Sequence, residues 1–425
     1  MFIEQYDSNL LLVNGRHVCP VPWPRAIALV DMNAFFASIE QLDHPEWRGR
    51  PVGVTNGKQG TCIITCSYEA RALGICTGMR LKHARQLCRD FIQAPARPQR
   101  YAAVSTAIMR ALHDISPDVE IFSVDEAFLD ITHCQRLFGT PARIGHLIKQ
   151  KVYESSRLPC SVGVSGDKTT AKYAAKLHKP DGLTVIAPWD AGTRLYDVPV
   201  TELCGINHGI GNFLALHGVH KCGDMRKLPI SVLARRFGNP GRRIWYMCQG
   251  QDPDKLHMTV PAPKSIGHGK VMPPNTTDRS VLLLYLKHMA EKVAARLRKH
   301  LLQAQQFSIG LLSNFGWLGN KYRSEAATND GKTIMQLCRR MLYECWHGEG
   351  ISQVQITALD PFPANTQFDL FLCHDEKQEH VNAAMDKVNT RYGEFTLAPA
   401  RLLNRSEMPN VISPAWKPDG HRQTI

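Results

Sequence analysis

Over roughly residues 25–195 the chain alternates between short apolar runs and stretches of helical period. The run AIALV at 26–30 leads straight into Asp31. The following NAFFASIEQL places apolar residues at 35, 36, 39 and 42, which predicts a strand and then a helix. Prolines 45 and 51 close that segment. A second β-like run, TCIITC at 61–66, passes into the helical SYEARAL, which Gly74 stops. Further on, the pattern predicts a helix over 101–116, a strand pair over 119–132 broken by two adjacent acids, and a helix over 141–157. A short strand at 161–165 and a helix ending near KPDG at 179–182 follow. This order predicts an α/β or α+β core. Residues 196–257 read as short helices and loops around CGINHGIG. A new unit starts at 258, dominated by an amphipathic helix over 281–302. Its Leu283, Leu286, Ala290, Val293, Leu297 and Leu301 share one face, with Lys and Arg on the other. Residues 1–24 are irregular and proline-punctuated, and no readable pattern follows 363.

Composition narrows the classes. A chain of 425 residues, 44% hydrophobic and 21% charged, is globular and long enough for two to four domains. Its apolar runs are too short for a membrane-spanning helix, and MFIEQYDSNLLLV makes a poor signal peptide. Thirteen scattered cysteines without a C-x-x-C pair predict reduced thiols and a cytoplasmic location, with no membrane partner. The net charge of +13 favours a polyanionic partner. Residues 205–362 hold 21 basic and 10 acidic groups, so most of the excess lies there, and the stretch after 363 is no basic arm.

The candidate chemistry lies in acids at strand ends. Asp31 closes one buried strand, and Asp125 with Glu126 interrupts another. Carboxylates are costly inside apolar strands unless paired or bound to metal. Three of them on two adjacent strands make an oxygen-only set suited to Mg²⁺. Taken singly, each acid is better explained by helix capping or solvent exposure.

Their surroundings add to this. VDMNAFFASIE at 30–40 and SVDEAFLDI at 123–131 resemble the two catalytic motifs of the Y-family, or translesion, DNA polymerases. SYEARALG at 67–74, SVGVSGDKTTAKYAAKLHKPDGLTVI at 161–186 and PKSIG at 263–267 follow in the family's order. The resemblance implies a low-fidelity, template-directed DNA polymerase with an α+β multidomain, right-hand fold. It divides the chain into an N-terminal extension (1–24), palm (25–41 and 99–195), small fingers (42–98), helical thumb (196–257), α/β little finger (258–362) and a C-terminal tail (363–425). It makes Asp31, Asp125 and Glu126 the metal carboxylates and Met32 a backbone ligand, for two Mg²⁺ ions or Mn²⁺ in their place. Asn33 stands where a second aspartate is common, a position not required as a ligand. Phe36 matches the steric gate that excludes a ribose 2′-hydroxyl, and Phe35 beside it is counted with the nucleotide-binding residues, although one of the two rings is readily explained as core. Tyr68, Arg71 and Lys179 match the triphosphate contacts. For Lys168 and Lys172 a solvated helix face is the better expectation.

The resemblance also implies how DNA is held. The thumb's G-I-G turn reads Gly205-Ile206-Asn207, kept if Asn207 takes a left-handed conformation, or slipped to Gly209-Ile210-Gly211. Lys264 and Ser265 open the strand expected against the template backbone. The long helix at 281–302 is expected to support the sheet. QFDLF at 367–371 resembles a bacterial sliding-clamp peptide, with Gln367, Leu370 and Phe371 as contacts. Partners are thus primer-template DNA, dNTP, a sliding clamp and SOS accessory subunits. Asn33, the stretch after 325 and the clamp peptide look like the polymerase V branch, KPDG like polymerase IV, and both stay open. Ser165-Gly-Asp-Lys168 matches S-x-x-K only by chance, and Gly331-Lys332-Thr333 lacks the first glycine of a phosphate loop. Cys62 and Cys66 are expected to be buried. A rival class is an inactive polymerase-like scaffold. Such scaffolds lose the carboxylates, which this chain keeps.

Overall fold

A computed structural model describes residues 12–13, 16–17, 22–58, 60–364, 376–405 and 416. The chain divides into two compact units, Met1–Val260 with Met408–Ile425, and Pro261–Glu407.

In the first unit the central strand, Ile27–Met32, is buried at every position. It can be uniformly apolar up to Asp31 because helices cover both faces of its sheet. The sheet runs in the order Leu183–Val185, Cys160–Ser165, Ile27–Met32, Glu126–Asp130, Val119–Ile121, and only the first pair is parallel. On one face Ala28, Val30 and Met32 join the core containing residues of the helices Pro98–Leu112 and Pro141–Ser156. On the other, Ile27 and Leu29 cluster with Phe128 and with Ala171 and Ala175 of the helix Lys168–Leu177. The two-residue period of a strand puts Asp31 on this second face. Gly163 lets the Lys168–Leu177 helix pack closely, because a Cβ there would run into the Ala171 carbonyl.

A three-stranded sheet (Ile63–Cys66, Val52–Thr55, Ile92–Pro95) accompanies the short helices Tyr68–Ala72 and Leu81–Leu87. Cys66 is buried there, but Cys62 is exposed, contrary to expectation. The helices His208–Leu216, Ile230–Phe237 and Asn239–Met247 share a core of Leu214, Leu233 and Met247. All described cysteines are free thiols. Of the N-terminal segment, the strands Leu12–Val13 and Arg16–His17 pair antiparallel. Trp416, far along the sequence, is buried in the main core of this unit.

The second unit is an antiparallel sheet in the order Ser265–Thr276, Ile351–Leu359, Leu302–Ser313, Gly316–Thr328. The helices Arg279–Lys299 and Gly331–Cys345 share its core. The fold is α+β and multidomain, as the sequence pattern predicts. The long helix differs in detail. It stops at Lys299, and Leu301 is exposed at a positive φ of 53°. Its polar residues are not all solvated: His288, Glu291 and Lys292 are buried. For His288 and Lys292 the reason lies in the stretch after 363, which contains a helix, Glu376–Tyr392, that the sequence reading missed, while Glu291 pairs with Lys287 at 2.5 Å on its own helix. Asp386 grips Arg298 with two bonds of 2.6 and 2.8 Å, Asn382 bonds Asp330 at 3.0 Å, and Glu394 pairs with Lys292 at 3.1 Å. Phe395 meets His288 edge to face at 4.8 Å.

Asp386→Ala should therefore leave a nearly buried guanidinium without its carboxylate and cost about 1–2 kcal/mol. Hydrogen exchange over 376–392 should accelerate. Unchanged protection there would show that this pair does not hold the helix.

Candidate active site

The central strand and the strand Glu126–Asp130 pair antiparallel with Asp31 directly opposite Glu126. Asp125 sits in the turn just before, tied down by the Met32 N–H, which donates to its carbonyl at 2.9 Å. A strand residue's N–H and C=O share one edge, so the Met32 carbonyl also faces the Asp125 side. The Ser123 hydroxyl donates to Asp125 Oδ1 at 2.7 Å. The three carboxylates named from the sequence are thus brought together. Burial pushes the Asp31 carboxyl up to about 6, against the pull of Lys179 and helped by the Glu126 and Asp125 charges. Burial raises Asp125 too, against the hydrogen bond from Ser123.

Two lysines answer this negative charge. Lys179 Nζ lies 2.5 Å from Asp31 Oδ1, and Lys172 Nζ lies 2.6 and 2.7 Å from the two Glu126 oxygens. The solvated-face expectation for Lys172 is wrong: Gly163 brings its helix close enough for the side chain to reach the sheet. It is wrong for Lys168 as well, which is buried and bonds Glu120 at 2.7 Å and Asp254 at 3.1 Å. Among the described residues no three His, Cys, Asp or Glu side chains converge on a single ion position. Asp31 and Glu126 are each engaged by a lysine instead. The donor set is nonetheless all hard oxygen, and two of its members already bind a cationic group, which fits a divalent ion.

Asn33 has a different role from a ligand. Its side chain donates to Ser161 Oγ at 3.0 Å and accepts from the Asp181 N–H at 2.8 Å. An amide does both, where a carboxylate would only accept. The turn carrying Lys179 is thereby fastened to the central strand.

Phe35 is buried, while Phe36 is half-buried and stacks on Tyr101, with ring centroids 4.3 Å apart and planes 11° off parallel. Tyr101 donates to Glu40 at 2.6 Å, and Arg97 holds the same carboxylate with two bonds of 2.9 and 2.8 Å. Sequence reasoning missed this support. Its signal is Glu40 four residues after Phe36, on the same helix face. Arg71 lies 4.8 Å over the Tyr68 ring and donates to the Cys66 carbonyl at 3.2 Å. The Tyr68 hydroxyl is buried with no partner among the described residues, an orphaned donor in want of a ligand.

Gly205 takes the positive φ of 98° that its turn needs. Asn207 is not left-handed: it is extended and caps the helix His208–Leu216 by accepting from the Ile210 N–H, with Gly209 and Gly211 inside that helix. Gly205 and Ile210 line a cleft of about 970 Å³, together with Phe122, Lys172 and Tyr246. Lys264 and Ser265 are exposed at the start of the second unit's sheet. Gln367, Leu370 and Phe371 lie outside the described residues.

Residues 30–176 match the model of the impB/mucB/samB family, and 263–370 match that of its C-terminal domain. A DNA polymerase IV from Moorella thermoacetica is 34% identical over 377 residues, covering 87% of this chain and 94% of that protein. The chain belongs to this family, the bacterial Y-family translesion polymerases. A DNA polymerase IV from Pelotomaculum thermopropionicum is 30% identical over 88% of this chain and 94% of its own length. A solved Y-family DNA polymerase chimera of Dbh and Dpo4 superposes with a TM-score of 0.69 at 25% identity, covering 80% of this chain and 99% of that one. Both relatives carry the polymerase IV name, on the side of the KPDG turn.

Burial and like charge give Asp31 a pH signature. A carboxyl whose folded pKa exceeds its unfolded value is a cost to the fold above the folded value, and that cost is relieved as pH falls from about 6 toward 4. In chelator at pH 7, Asp31→Asn should stabilise the chain by about 2 kcal/mol, and the gain should vanish near pH 4. Urea unfolding at the two pH values measures it, and no gain at pH 7 would contradict the assignment.

Proposed function

We propose that this enzyme, a DNA-directed DNA polymerase, extends primers across damaged template by in-line nucleotidyl transfer from dNTPs, with Asp31, Asp125 and Glu126 as its metal carboxylates. The observation that carries this reading is the register that sets Asp31 opposite Glu126 with Asp125 one residue away. Two divalent ions, Mg²⁺ or Mn²⁺, held by these side chains and the Met32 carbonyl would stabilise the primer 3′-alkoxide and the charge of departing pyrophosphate. Nothing favours the inactive scaffold.

The other roles follow from chemistry and placement. Lys179 and Arg71 bind triphosphate oxygens, with Tyr68 offering its free hydroxyl. Phe36 blocks the 2′-position of the sugar, with buried Phe35 beneath its helix. The turn at Gly205, with Gly209 and Gly211 in the capped helix behind it, presents main-chain N–H groups to phosphate. In the second unit Lys264 and Ser265 contact template backbone, with Ser265 on the sheet face where Gly269, Gly310 and Gly319 carry no side chain. We assign 25–41 and 99–195 to the palm, 42–98 to the fingers, 196–257 to the thumb and 258–362 to the little finger. The extension 1–24 and tail 363–425 flank them. We place the enzyme in the cytoplasm with its DNA. No helix among the described residues is long and apolar enough to cross a membrane. QFDLF at 367–371 is our assignment for the sliding-clamp contact, with SOS accessory subunits as further partners.

Asp125→Ala should lower primer extension with Mg²⁺ and dNTPs by about 10³-fold or more. Retained activity would sink the assignment. Deleting 367–371 should abolish stimulation by the clamp while leaving distributive synthesis intact. Equal stimulation after the deletion would refute the clamp contact.

A further inference from the structure

Lys172 has two partners of different kinds. Its ammonium straddles both Glu126 oxygens at 2.6 and 2.7 Å, the bidentate place a divalent cation takes on a carboxylate. The same nitrogen lies 4.4 Å from the centroid of the Phe122 ring. Phe128 meets that ring edge to face at 5.5 Å and 86°, which fixes its orientation. Phe122 and Lys172 also both line the 970 Å³ cleft. An ammonium over an aromatic face is held electrostatically even after its anion is taken away. The helix beneath Lys172 is fixed by the close packing at Gly163 and by Asp167, which caps it by accepting from the Thr170 N–H at 2.9 Å. The ammonium thus touches the Glu126 carboxylate and the ring at once.

We propose that Lys172 is a positioning residue that holds Glu126 in its ligating place when no metal is bound and competes with a divalent ion for that carboxylate, with the Phe122 face as the contact it keeps when the ion takes the carboxylate. The inference rests on reading Asp31, Asp125 and Glu126 as metal ligands. Asp31, Asp125 and Glu126 lie close enough in the absence of a cation for their charges to repel one another. The lysine removes that repulsion in the empty site and opposes the ion that enters it. An ammonium about 4 Å from an incoming divalent ion costs about 2 kcal/mol at the dielectric of water and more where solvent is thin, which corresponds to a factor of about thirty in affinity.

Binding of Mn²⁺ to the full-length, DNA-free chain, followed by the EPR signal of the free ion, tests this. Lys172→Met should bind Mn²⁺ about thirtyfold more tightly than wild type, and Lys172→Arg should not. Phe122→Ala, which removes the contact the displaced ammonium would keep, should bind it more weakly than wild type. Equal or weaker binding by Lys172→Met overturns the proposal, as does equal or tighter binding by Phe122→Ala. The Phe122→Ala comparison decides alone if Lys172→Met fails to fold. Asp31→Asn binding Mn²⁺ as wild type does would instead bring down the metal reading itself, whatever the lysine variants do.

Discussion

The structure turns on a charge conflict: three acids gathered at the end of a sheet whose strands are otherwise apolar. Their neighbours are arranged to make that tolerable. Lys172 comes from the helix that Gly163 admits, and Lys179 comes from a turn that Asn33 fastens. Ser123 bonds Asp125. Each compensating group sits on a different element, so the helix packing, the turn and the strand register all serve one cluster.

Much of this was legible in the sequence because strand periodicity is strict. AIALV followed by Asp31 can be buried on both faces only in a covered sheet, and the acid then falls on a predictable side. What the sequence could not show was partnership across long separations. Lys168 and Lys172 look like an exposed helix face by spacing. Only the tertiary approach of that helix to Glu120 and Glu126 makes them buried counter-ions. Asn207 was misread for a related reason. Its tolerance of left-handed backbone suggested one role, but Gly205 already takes the positive φ and leaves Asn207 free to cap.

The second unit carries the same lesson about charge. Its basic excess looked available for nucleic acid, yet Lys292 and Arg298 face inward and are answered by Glu394 and Asp386 from beyond residue 363. The mildly acidic end of the chain is therefore counter-charge for its own unit. A helix of weak amphipathicity such as Glu376–Tyr392 leaves little apolar signal, because it is held through polar pairs. The cations left for DNA backbone are fewer than composition suggests, and they include Lys264 at the sheet's edge.

The stack of Phe36 on Tyr101 has a consequence for how sugar selection can change over time. The ring that would meet the nucleotide is braced from behind by Tyr101, then Glu40, then Arg97, and none of these three needs to touch the substrate. Discrimination of this kind is inherited from a chain of contacts. It can drift through substitutions in the brace while the gate residue itself stays the same.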